Sequence, residues 1–94
     1  MNIQETENKI ITILGEYCVE RIGIFGSYAR EEENEESDLD LLVAFKDQKS
    51  LLTMVRIERE LAESTGVNID ILTEQSVSPY LIDRIKSELK VIYQ

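Results

Sequence analysis

Apolar residues along this chain switch between two spacings, and each switch predicts an element. Ile3, Ile10, Ile11, Ile13, Leu14 and Tyr17 recur at helical spacing, so residues 5–17 read as an amphipathic helix. Val19 to Phe25 is β-branched and aromatic and runs into Gly26-Ser27, which predicts a strand ending in a sharp turn. A short helical stretch is expected after Ser27, then an exposed acidic run from Glu31 to Glu36. Asp38 to Phe45 alternates and then becomes wholly apolar, a second strand. Leu51, Leu52, Met54, Val55, Ile57, Leu61 and Ala62 mark a further helix, with Ser50 as N-cap and Gly66 as its stop. Val67, Ile69 and Ile71 alternate with Asn68, Asp70 and Leu72, a half-buried third strand. Ser78-Pro79 opens a last helix whose stripe is Leu81, Ile82, Ile85, Leu89 and Ile92. The order α-β-α-β-α-β-α predicts an α/β (α+β) fold, a small mixed β-sheet with helices mainly on one face. With no repeats, linkers or Pro/Gly-rich breaks, residues 1–94 are expected to form a single domain.

Composition removes several chemistries. There is no histidine, and one cysteine, Cys18, allows neither an intrachain disulfide nor a cluster. Zinc fingers, Ser-His-Asp triads and Cys-His pairs are therefore excluded. Cys18 reads as a small core residue in a reducing, cytoplasmic setting. The longest apolar run, Leu41 to Phe45, is far short of the ~20 residues a membrane helix needs. The acidic start lacks the layout of a signal peptide. Ten basic against 19 acidic residues leave a net charge of −9, which repels nucleic acid but admits nucleotides where a divalent cation stands between carboxylate and phosphate.

The acidic residues are also unevenly placed. Asp38 and Asp40, two apart on a strand, point to one face while Leu39, Leu41 and Val43 point to the other. Asp70 lies between Ile69 and Ile71 and so also points away from its strand's apolar face. If the two strands are neighbours, three carboxylates meet on the open side of the sheet. Two such charges 4 Å apart repel by about 4 kcal/mol at an effective dielectric near 20. No matching basic cluster lies nearby in the chain, so one or two bound divalent cations are the economical resolution, and oxygen-only ligands favour Mg²⁺ or Mn²⁺ over zinc. Asp-x-Asp alone is common at strand starts facing solvent. Its company distinguishes it here. Gly26-Ser27 follows a strand, where glycine lets a phosphate approach the backbone and Ser27 offers N–H and hydroxyl donors. Ten residues then separate Ser27 from Asp38, giving Gly-Ser-x10-Asp-x-Asp followed by Leu41-Leu42-Val43.

This stretch, from Gly26-Ser27-Tyr28-Ala29-Arg30 to Ser37-Asp38-Leu39-Asp40-Leu41-Leu42-Val43, resembles the minimal nucleotidyltransferases of the DNA polymerase β-like superfamily. The resemblance extends through Asn68-Ile69-Asp70-Ile71-Leu72 to the chain's end, and it departs at Glu31, where relatives usually carry glycine. It implies transfer of AMP from ATP to a hydroxyl with release of pyrophosphate. Gly26 and Ser27 would bind the triphosphate, and Asp38, Asp40 and Asp70 would be both catalytic and metal-binding, holding two Mg²⁺ ions about 4 Å apart for which Mn²⁺ can substitute. Asp70 would also take the acceptor's proton. Larger nucleotidyltransferases append a helical domain that grips the substrate; this chain is expected to lack one and to take its acceptor from a partner. The resemblance names a helical HEPN ribonuclease toxin, silenced when a tyrosine is adenylylated. The alternative is a catalytically silent antitoxin that masks its toxin by binding. Neither nucleic acid nor membrane is expected as a direct partner.

Overall fold

The computed structural model describes residues 3–26 and 38–94. The short helix expected after Ser27, together with the acidic run Glu31 to Glu36, lies outside the described residues. The described elements are α1 (Ile3–Gly15), β1 (Val19–Phe25), β2 (Leu39–Phe45), α2 (Leu51–Thr65), β3 (Ile69–Thr73), α3 (Pro79–Glu88) and β4 (Lys90–Tyr93). The strands form one mixed sheet in the order β3-β2-β1-β4. β2 and β3 are parallel, joined across α2, while β1 runs antiparallel to both β2 and β4.

The period-2 pattern sets which face each strand buries. Ile22 and Ile24 of β1, Leu39, Leu41 and Val43 of β2, and Ile69 and Ile71 of β3 all enter one core. α1 adds Ile10 and Leu14 to it, and α2 adds Ile57 and Leu61. Each fully buried aliphatic contributes roughly 1.5–3 kcal/mol, so this layer carries most of the fold. α2 begins and ends where its caps dictate. The Thr53 N–H donates to Ser50 Oγ at 3.2 Å, and Gly66, at φ 75°, donates its N–H to the Ala62 carbonyl at 2.8 Å. At the start of α3, the Leu81 N–H donates to Ser78 Oγ at 3.3 Å, with Pro79 in the first helical position.

The other face of the sheet carries Gly23, Leu42 and the aspartates. Leu42 is only 2% exposed, so this face is not bare. A Cβ on Gly23 would meet Leu89 Cδ1 at 2.5 Å, so the glycine leaves the space in which Leu89 seats. α3 reaches the sheet through β1 alone and packs on neither α1 nor α2. At one end of the sheet Arg21 Nε donates to Glu74 Oε2 at 3.0 Å, and Lys86 of α3 stands 3.9 Å from the same carboxylate.

Two expectations need correction. The last helix does not run on to Ile92. It stops at Glu88, and Lys90–Tyr93 is a strand at the sheet's edge. Ile85, Leu89 and Ile92 fit a helical stripe, but Val91, Ile92 and Tyr93 are β-branched and aromatic residues that equally suit a strand, and pairing with β1 decides between the two. Lys90 is held toward α1 by an ion pair with Glu7 at 2.8 Å, and Ile92 packs on the core. Nor is Cys18 a core residue. It is exposed, and it turns the chain from α1 into β1 with φ at 60°, its carbonyl accepting from the Lys46 N–H at 2.9 Å. A left-handed backbone costs a side chain about 1 kcal/mol, so Cys18→Gly is expected to stabilise the protein by about 0.5–1 kcal/mol. Urea denaturation checks this, with the midpoint rising at constant slope.

Candidate active site

The carboxylates gather because two neighbouring strands, β2 and β3, deliver them to one end of the sheet. Asp38 immediately precedes β2, Asp40 is its second residue, and Asp70 is the second residue of β3. Parallel pairing sets Asp40 directly opposite Asp70, and antiparallel pairing sets Phe25 opposite Asp40 on the other side. Residues opposite one another share a face, so Phe25, Asp40 and Asp70 form a row across β1, β2 and β3. Their neighbours Leu39, Leu41, Ile69 and Ile71 are buried on the reverse side. A one-residue slip in either strand would turn the carboxylates into the core; burial of the aliphatics therefore holds the row in place.

Of the three, Asp40 is half-buried while Asp38 and Asp70 are exposed. Loss of water raises the Asp40 carboxyl above the ordinary carboxylate range, and the negative charges of Asp70 and then Asp38 raise it further. Among the described residues no cation forms an ion pair with any of the three. Gly26 closes the site from β1. Its φ is +78°, and a Cβ there would lie 2.5 Å from Asp40 Oδ2. The chain turns past the carboxylate at a distance that only a residue without a side chain allows. Ser27, Tyr28 and Arg30 lie outside the described residues.

Glu58 of α2 had no motif to mark it. Burial, and next the charge of Asp70, raise its carboxyl above the ordinary range. Its one visible signal in the sequence is its position beside the buried stripe of Ile57 and Leu61.

The donor set is all carboxylate oxygen, which suits a hard divalent cation. Among the described residues no three His, Cys, Asp or Glu side chains are already gathered closely enough to hold one. The raised carboxyl of Asp40, beside two like charges, is what a site short of positive charge looks like; the residues fit such an ion by chemistry and by face. A concavity among the described residues lies elsewhere, at the opposite ends of β2 and β3, and is lined by none of these aspartates. Among the described residues no helix is long and apolar enough to cross a membrane.

A strand–glycine turn beside an Asp-x-Asp strand, on a mixed sheet backed by helices, describes a class of nucleotidyl-transfer folds. The family model for "Polymerase beta, Nucleotidyltransferase" matches residues 8–94, and this chain belongs to that nucleotidyltransferase family. MJ0435 of Methanocaldococcus jannaschii, which bears the name "Putative protein adenylyltransferase", is 52% identical over 88 residues, covering 94% of this chain and 95% of that protein. The protein adenylyltransferase MntA of Thermococcus cleftensis is 35% identical over 73 residues, covering 78% and 74%. A chain in the structure of a tri-AMPylated Shewanella oneidensis HEPN toxin in complex with MNT antitoxin superposes with a TM-score of 0.79 at 25% identity, covering 96% of this chain and 71% of that one.

Proposed function

We propose that this chain transfers AMP from ATP to a tyrosine hydroxyl of a HEPN ribonuclease toxin in the cytoplasm, and so acts as its antitoxin. The observation that carries the reading is the row in which Asp40 and Asp70 stand in register, with Asp38 two residues back and Gly26 against Asp40. The names of the relatives support protein as the acceptor, and the AMPylated HEPN complex supports the class of partner.

In this reading Gly26 and Ser27 bind the departing β- and γ-phosphates through backbone N–H groups and the serine hydroxyl. Asp38, Asp40 and Asp70 would hold Mg²⁺, or Mn²⁺ in its place; when bound it supplies the positive charge that lets carboxylates and triphosphate share one site and polarises the acceptor hydroxyl. Asp70, on an exposed edge strand, is free to accept the hydroxyl proton as the acceptor oxygen bonds to the α-phosphorus. The bond from that phosphorus to the bridging oxygen breaks, and pyrophosphate leaves. Half-burial of Asp40 keeps one carboxylate fixed while the two exposed ones adjust to the substrate.

The test is direct. The toxin encoded beside this chain is incubated with it, Mg²⁺ and ATP labelled at the α-phosphate, and intact masses are read. Gain of whole AMP units by the toxin, absent with Asp38→Asn/Asp40→Asn, is the expected result. An unchanged toxin mass in a tube where the complex has formed would make this a masking antitoxin instead.

A further inference from the structure

At the end of the sheet away from the aspartates the protein carries a groove of about 600 Å³ between the start of α2, the ends of β2 and β3 and the start of β1. Ala44, on its wall, is four residues from Asp40 along β2, about 13 Å at the usual rise per residue. The floor is apolar, with Phe45, Met54 and Ile71. Beside it α2 exposes an aliphatic ridge: Leu51 is 82% exposed, Leu52 79% and Val55 52%. Single exposed aliphatics are ordinary, but three within five residues of one helix, continuous with an apolar floor, make a patch. Nothing in the fold requires them. The core side of α2 is filled by Ile57 and Leu61, and the helix is started by the Ser50 cap.

The rim decides what kind of surface fits. Four carboxylates, Glu20, Asp47, Glu58 and Glu74, stand around the groove against two cations, Arg21 and Lys49. Arg21 pairs with Glu74 at 3.0 Å and stands 3.9 Å from Glu20, Lys86 stands 3.9 Å from Glu74, and Lys49 pairs with Asp47 at 3.0 Å, so the rim keeps one negative charge in excess, with Glu58 outside these pairs. A second copy of this chain would bring the same acidic rim and the same net charge of −9, and like charges would face each other. A basic partner meets no such cost.

We propose that this groove docks a basic amphipathic helix of a protein partner, its apolar stripe packed along Leu51, Val55 and Met54 and its lysines or arginines against the acidic rim. The exposed pair at i and i+4 is one half of a helix–helix contact, a ridge that lacks its facing groove. The inference uses the reading above only in taking the partner to be a protein. Held there, an acceptor is gripped on one end of the sheet and modified at the other, which supplies the hold on the acceptor that the nucleotidyltransferase core does not provide through its open carboxylate row.

The probe is a fluorescently labelled Leu/Lys peptide of about 18 residues, five helical turns, patterned as an amphipathic helix, with a scrambled peptide of the same composition and a Leu/Glu counterpart beside it. Binding is read by anisotropy at physiological ionic strength. The patterned Leu/Lys peptide is expected to bind at least about tenfold more tightly than either control. Leu51→Asp/Val55→Asp alters only exposed positions and adds negative charge, yet it is expected to weaken binding by about tenfold or more. Asp38→Asn/Asp40→Asn should bind as the parent does, so docking and nucleotidyl transfer fail or succeed separately. Equal or tighter binding by the Leu51→Asp/Val55→Asp variant would reduce the effect to general attraction of a basic peptide by an acidic protein and overturn the proposal. So would equal binding of the scrambled peptide, or a dimer in sedimentation that those two substitutions abolish.

Discussion

Asp38→Asn/Asp40→Asn is expected to lower the rate of AMP transfer by at least about 10³-fold, roughly 4 kcal/mol of transition-state stabilisation. Asparagine keeps the shape and removes the charge that would hold the cation. The same change should leave the fold intact and, without metal, make it more stable. Burial and the charges of Asp70 and Asp38 raise the Asp40 carboxyl in the folded protein above its value in the unfolded chain, near 3.9. Between those two values the folded state binds more protons than the unfolded one, so stability falls as pH rises through the window. At neutral pH the parent carries that penalty in full, and the variant does not. The metal-free melting temperature of Asp40→Asn should therefore exceed the parent's at neutral pH, and the difference should shrink as pH is lowered through the folded value. Adding Mg²⁺ with ATP should raise the parent's melting temperature and leave the double variant's unchanged. A variant that melts below the parent in chelator would contradict the account of Asp40.

Gly26→Ala is expected to lower transfer by about 10²-fold, the loss that follows a misplacement of about 1 Å in a reacting constellation. The new Cβ would lie 2.5 Å from Asp40 Oδ2, so the carboxylate or the turn has to move. It would also hold a side chain at φ +78°, which costs about 1 kcal/mol. Gly66→Ala separates the two effects. Gly66 has nearly the same φ, +75°, with nothing within 4 Å of an added Cβ. Gly26→Ala should lose at least as much stability on thermal unfolding as Gly66→Ala, since both carry the backbone cost and only the first carries the clash, and only Gly26→Ala should lose activity. Equal activity for the two would mean that Gly26 serves the turn alone.

Much of this protein is legible in one dimension because burial repeats at short range. The alternation through Leu39, Asp40 and Leu41, and through Ile69, Asp70 and Ile71, already assigns each aspartate a face. Ser50, Gly66 and Ser78-Pro79 mark helix ends by their own hydrogen bonds and backbone preferences. The family motif from Gly26 to Val43 is equally local. Other features were out of reach for the same reason. Leu89 and Ile92 satisfy a helical stripe as well as a strand, and only the edge of β1 decides that Lys90–Tyr93 extends. Cys18 looks like any small residue between helix and strand until the chain reversal demands a positive φ there.

By itself the sequence determined the faces, the caps and the set of carboxylates, since each depends on residues a few positions apart. The tertiary structure alone decided the register of Asp40 on Asp70, the approach of Gly26 to Asp40 and the groove beside α2. These join residues 14 to 54 positions apart, from Gly26 with Asp40 to Glu20 with Glu74. Pairing at such separations is set by strand order and by how the aliphatic core closes, and no local pattern carries that information.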